Sequence, residues 1–235
     1  TDRYFTEDDP QELFDAQEGL QTGNFVYGPG DIKFKDLNGD GVINGGATTL
    51  SDHGDLKVIG NTQPRYQYGA RIGGAWKNLD FDIFIQGVGK RDLWGAGDIA
   101  LPLYRGGDIL YEHQLDYWTE GNPDAYYPRH FVGNNSGNVS GLDAGGHNFY
   151  PQSKYLLNLA YCRLKNVTVG YSFSPDLLKR ANLRNVRLYI SGENLAELSD
   201  VGVPLDPEIT DGQLGFLGRT FPFQRRFSFG LQITL

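Results

Sequence analysis

The sequence has no methionine and a single cysteine, Cys162, among its 235 residues. One thiol cannot close an intrachain disulfide or supply a CxxC metal site, so neither scaffold is available. Basic excess is lacking as well. Lys and Arg number 21 against 29 Asp and Glu, a formal charge of −8, whereas a nucleic-acid binder presents a basic stripe to phosphate. No run of about 18 apolar residues occurs, which excludes a membrane-spanning helix. It does not exclude a β-barrel, whose strands alternate and never give such a run. His53, His113, His130 and His147 stand too far apart in sequence for close ligand pairs. No GxSxG or P-loop pattern occurs, and GVGK (87–90) lacks the rest of a phosphate-binding motif and reads as a strand end. With no catalytic motif, the chain reads as a non-enzyme. It opens on Thr1 with no leader ahead of it, as expected either after removal of a signal peptide or for an internal piece of a longer chain.

What is present favours strands and turns: 32 glycines and 13% aromatics. In TFPFQRRFSFGLQITL (220–235), Phe221, Phe223, Phe227, Phe229, Leu231, Ile233 and Leu235 share one phase, broken only by Arg225. Ser228, Gly230, Gln232 and Thr234 share the other, and successive strand residues point to opposite faces. The same alternation predicts a hairpin turning at Lys77 and Asn78, and two further strands through Val167–Phe173 and Val186–Ile190. SPDLLKRANL (174–183) between the last two has room for one short helical turn. The predicted strands are 64–76, 79–90, 159–173, 185–195 and 224–235.

The period itself does not say whether the apolar face meets a protein core or lipid, since a soluble sandwich alternates alike. The connections separate the two. On one side the links are about 2 and about 12 residues; on the other they are 1–63, 91–158 and 196–223, far beyond the usual connection of about 4–6. Short turns on one side and long loops on the other are the habit of outer-membrane barrels. The fold class read from this is all-β: an antiparallel transmembrane β-barrel segment with long extracellular loops. Bacterial barrels have an even number of strands, at least about 8, so five strands imply further strands upstream. With five crossings the C-terminus is expected in the periplasm. The alternative is a secreted all-β, calcium-stabilised carbohydrate-binding module.

Several stretches carry a family resemblance: PGDIKFKDLNGDGVI (29–43), VIGNTQPRYQYGARIGGAWKNLDFDIFIQGV (58–88), YWTEGNPDAYYPR (117–129), YCRLKNVTVGYSFS (161–174), VRLYISGENL (186–195), LDPEI (205–209) and RRFSFGLQITL (225–235). In this order they resemble the C-terminal part of SusC/RagA-like TonB-dependent transporters of Bacteroidetes outer membranes. The resemblance implies a barrel of about 22 strands around a plug. It further implies a SusD-like surface lipoprotein as lid, contact with TonB through an N-terminal part outside this sequence, and import of oligosaccharides or peptides.

Three sets of residues are candidates for function. In DLNGDGVING the oxygens of Asp36, Asn38 and Asp40, the carbonyl of Val42 and a turn at Gly41 match the opening of a calcium loop. The twelfth position is Ala47, which cannot ligate. Asp55, or Asp52 in its place, is expected to close the loop (36–55) after an insertion of about eight residues, with weak affinity of about 10⁻⁴–10⁻³ M. The competing reading is an Asx-rich turn capped by its own side chains. The rings of 91–158, chiefly Trp94, Tyr104, Trp118, Tyr126 and Tyr127, are candidates for partner or substrate contact, or for packing the loop on itself. Arg65, Arg71, Asp80 and Asp82 lie on the polar strand phase, where they would face a solute path or a plug. Asn134, Asn138 and Asn166 match glycosylation sequons, idle in a bacterial protein.

Overall fold

The structure is a computed structural model describing residues 3–21, 25–103, 110–130, 147–179, 182–208, 221 and 223–234. In chain order its elements are α1 (Gln11–Asp15), β1 (Tyr66–Trp76), β2 (Leu79–Gly89), β3 (Asp92–Trp94), β4 (Leu156–Asn158), β5 (Tyr161–Ser172), α2 (Pro175–Lys179), β6 (Asn185–Ser199) and β7 (Arg226–Thr234). Five strands form one antiparallel sheet in the order β1-β2-β5-β6-β7, and β3 pairs with β4 in a small second sheet. β6 runs on to Ser199, beyond the predicted end at 195, because it stays paired with β5 as far as Tyr161. The region 91–158 holds the β3–β4 pair, which its ring-rich sequence does not announce.

The sheet keeps its faces apart through register. Ile72 stands opposite Ile83, Ile83 opposite Val167, Val167 opposite Gly192 and Gly192 opposite Phe227, so one apolar row crosses all five strands. The neighbouring row is Arg71, Phe84, Asn166, Glu193 and Arg226. A β-bulge leaves Lys165 without a Cα partner on β2 and switches the phase of β5, so Leu164 and Cys162 continue the apolar face. The tight turn places Lys77 at φ 56, the left-handed conformation that suits the twist of a two-residue hairpin. Asn78 Nδ2 then donates to the Ser172 carbonyl at 2.6 Å, tying that turn to the end of β5.

The buried core is not on this sheet. No residue of β1 or β7 is buried; Phe227 and Phe229 are 77% and 74% exposed, and Leu231 and Ile233 more than half exposed. Leaving such a side chain in water rather than burying it costs about 1.5–3 kcal/mol. A band that also includes Ile72, Trp76, Phe81, Val169 and Ile190 is therefore a face for a solvent other than water. Among the described residues no second sheet covers it, so the sandwich reading has nothing to pack against. The fold is a segment of a transmembrane barrel.

The core lies in the loops at the other end. Tyr4, Ile32, Leu101, Tyr127, Phe149, Tyr155, Leu157, Leu159 and Val201 pack together, with Phe5, Phe25 and Tyr27 in a satellite cluster. The stretch before β1 and the loop between β2 and β5 thus share one core rather than forming separate regions. Buried polar side chains stitch it. The Asp31 carboxylate, fully buried, accepts from Arg129 Nε and Nη2 at 3.0 and 2.6 Å, from Asn148 Nδ2 at 2.8 Å and from Gly28 N–H at 2.8 Å. Gln17 accepts from Phe34 N–H at 2.6 Å and donates to the Ile32 carbonyl at 3.2 Å, satisfying backbone that no strand reaches.

Candidate functional site

Two surfaces present chemistry: the polar face of the sheet and the loop cap above it. On the sheet, charges meet across strands. Arg71 Nε donates to Asp82 at 2.8 Å, and Arg187 donates twice to Asp80, at 2.9 and 2.5 Å. The second pair reaches over β5, where a Cβ at Gly170 would strike both the Arg187 guanidinium and the Asp80 carboxylate; glycine there is what lets the pair form. Higher up, the buried Arg163 donates to Glu197, to Asp206 at 2.7 Å and to Glu208 at 2.6 Å, while Lys165 Nζ holds Glu208 at 2.8 Å. These bonds fasten the start of the loop after β6 against β5. Sequence reading singled out Asp80, Asp82 and Arg71 but not Arg163; its signal was the LDPE spacing, two acids two residues apart.

In the loop 36–55 the carboxylates are held by backbone amides. Gly41 and Gly39 N–H donate to Asp36 at 2.9 and 2.6 Å, and these bonds hold its carboxyl below the usual range. Asp40 N–H donates to Asn38 Oδ1 at 3.0 Å and Val42 N–H to Asp40 Oδ1 at 2.9 Å. Asp55 closes the loop: its two oxygens accept from Leu37 N–H at 2.6 Å and Asn44 N–H at 2.8 Å, binding both sides. Asp52 instead accepts from Ala47 N–H at 3.1 Å inside the insertion. These are the bonds of a self-capped Asx turn. The donor set is all hard oxygen, the chemistry calcium prefers. Among the described residues, however, no three His, Cys, Asp or Glu side chains converge to hold a metal, so a cation would need these carboxylates to turn inward.

The aromatic candidates have different fates. Tyr126 is exposed, and Trp94 and Trp118 are half-buried against the loop core. Tyr127 is 1% exposed, its hydroxyl donating to the Ala100 carbonyl at 3.3 Å. It is withdrawn from the contact set, because its ring has no surface to offer a partner. Tyr104 lies outside the described residues, as do Asn134 and Asn138. The histidines serve the cap. His113 Nε2 meets the Ile99 carbonyl at 2.8 Å, His147 stacks on Phe25, and His130 stacks on Tyr117, with burial pushing its pKa down to about 4.

No family model matches the chain. Two curated proteins do: TonB-dependent receptor P26 of Formosa agariphila, 29% identical over 232 residues and 95% of this chain, and TonB-dependent receptor P3 of the same organism, 28% identical over 91%. The chain spans about a fifth of their length, 21% of each. Among solved structures, the RagAB peptide transporter aligns over 76% of this chain and 18% of its own with TM-score 0.55 and 20% identity. The RagAB peptide importer in its 'closed-closed' state gives 0.56 at 19%; identities this low speak for the fold alone. In sequence the chain is similar to TonB-dependent receptors, and in fold to part of the barrel of a SusC/RagA-like transporter.

Proposed function

We propose that this chain forms the C-terminal part of the barrel of a TonB-dependent outer-membrane importer. The long loops face the cell exterior, and the two short links and the C-terminus face the periplasm. The observation that carries the reading is the sheet with no dry side: an exposed apolar band on one face, and on the other polar side chains joined by ion pairs, as a watery lumen requires. Oligosaccharides or peptides are the proposed cargo, and a SusD-like lipoprotein the proposed partner over the loop cap, with TonB reached through another part of the protein. In support, the solved relatives are named as peptide importers in open and closed states. The exposed Tyr126 and the half-buried Trp94 and Trp118 are the proposed contacts for lid or cargo.

Calcium at the loop 36–55 is a further part of the proposal, with Asp36, Asn38, Asp40, the Val42 carbonyl and Asp55 as donors and a structural role. The importer reading is tested by deleting the full-length gene and growing the strain on a panel of glycans and peptides. Loss of growth on one class is expected; unchanged growth on every member would overturn it.

A further inference from the structure

Lys154 stands in a cage of three tyrosines, its Nζ 4.0 Å from the centroid of Tyr4, 5.4 Å from Tyr155 and 5.9 Å from Tyr126. It makes one hydrogen bond, donating to the Tyr4 hydroxyl at 2.5 Å, and that hydroxyl donates onward to the Tyr126 carbonyl at 2.6 Å. An ammonium has three donors, and among the described residues the other two have no partner. Asp116 acts on it only through space, its own carboxylate being taken by Asn122 Nδ2 at 3.0 Å and Tyr126 N–H at 3.1 Å. Burial pushes the Lys154 pKa down to about 8, which leaves it charged at neutral pH. A half-buried cation with spare donors is costly unless an anion answers it.

Lys154 and Tyr4 help line a cavity of about 620 Å³, with Arg3, Thr6, Trp118, Pro123 and Asp124 around it. The Trp118 ring is seated over Gly30, which has φ 87 and where an added Cβ would collide with the indole. Its face is thus fixed against the backbone before anything binds. Asp124 is the one carboxylate among the lining residues, while Asp116 answers Lys154 only through space, so Arg3 and Lys154 are the two cations that face the cavity's contents directly.

We propose that this cavity is a binding subsite for a carboxylate-bearing ligand, gripped by the Lys154 ammonium and the Arg3 guanidinium with its body against Trp118. The inference rests on the importer reading and says what kind of cargo the loop cap touches. A carboxylate of that kind stands on an acidic sugar or at the end of a short peptide, and the two sources are separable by experiment.

The full-length transporter in detergent is titrated calorimetrically with trigalacturonate and its methyl ester, and with tetra-alanine and its C-terminal amide. One of the two acids should bind, and its neutral counterpart should bind at least about tenfold more weakly, as loss of a charge-assisted hydrogen bond implies. Lys154→Gln and Arg3→Gln should each weaken the acid by about the same factor and leave the neutral compound unchanged, while Lys154→Arg restores most of the binding. Which acid binds identifies the source. Equal binding of acid and neutral compound, binding that survives Lys154→Gln, or no binding of either acid would each overturn the subsite. The last result, combined with a lowered melting temperature for Lys154→Gln, would show the cage to be packing only. A strain carrying Lys154→Gln that imports its nutrient at the parental rate sinks the subsite and leaves the importer reading standing; that reading fails only on the deletion strain's growth.

Discussion

In the loop cap Phe5, Leu101, Phe149 and Leu159 are fully buried, whereas Phe227 and Phe229 on β7 stand about three-quarters exposed. The residue types are alike; the solvents are not. The cap sits in water and has to fold its rings inward, and it buries Asp31 and Gln17 only where hydrogen bonds satisfy them. The sheet turns the same side chains outward because hydrocarbon is its solvent on that face. It keeps its charges on the opposite face and pairs them strand to strand. Where the two regions meet, Arg163 fastens one to the other through Glu197, Asp206 and Glu208.

That junction should be the most sensitive point. Replacing Arg163 by Met leaves three carboxylates facing one another without their buried cation, and should cost about 3–5 kcal/mol, read as lowered resistance of the full-length barrel to urea. Next, Ile190→Arg on the apolar face should cost about 2–4 kcal/mol if it lies near the bilayer midplane, while Ser191→Arg one residue on should be tolerated. Equal costs for the two would erase the distinction between the faces.

In the cap, burial keeps His130 neutral down to about pH 4, whereas an unfolded chain takes up that proton near pH 6.5. Stability should therefore fall as pH drops from about 6.5 towards 4, and His130→Gln should flatten that slope in melting curves. The smallest effect is expected at the calcium loop. Adding calcium should release measurable heat that Asp40→Ala or Asp55→Ala abolishes, with global stability changed by under about 1 kcal/mol.

The sheet was legible in the sequence because a strand writes its two faces as alternate residues. Even the apparent break at Arg225 fits, since β7 begins at Arg226. Asp55 was expected as a calcium donor after the insertion; what the structure gives it is hydrogen bonds from Leu37 and Asn44 N–H. The phase switch at Lys165 was not legible, for a bulge has no residue signature of its own. Nor were the knots of the cap. Arg129 and Asn148 reach Asp31 from 98 and 117 residues away, and the rings around Lys154 come from both ends of the cap. Tyr126 and Tyr127 show the limit most plainly. Their rings meet edge to face with centroids 4.8 Å apart, yet only Tyr127 is buried, and nothing local says which of the two it will be.

The account is tested most directly by single cysteines at 227 to 233 in the full-length protein, with Cys162 replaced by Ser, reconstituted in lipid. Positions 227, 229, 231 and 233 should resist a water-soluble maleimide and react with a membrane-partitioning one, while 228, 230 and 232 do the reverse. If the odd positions are instead shielded from both reagents, those side chains lie within dry protein, and the barrel account is contradicted.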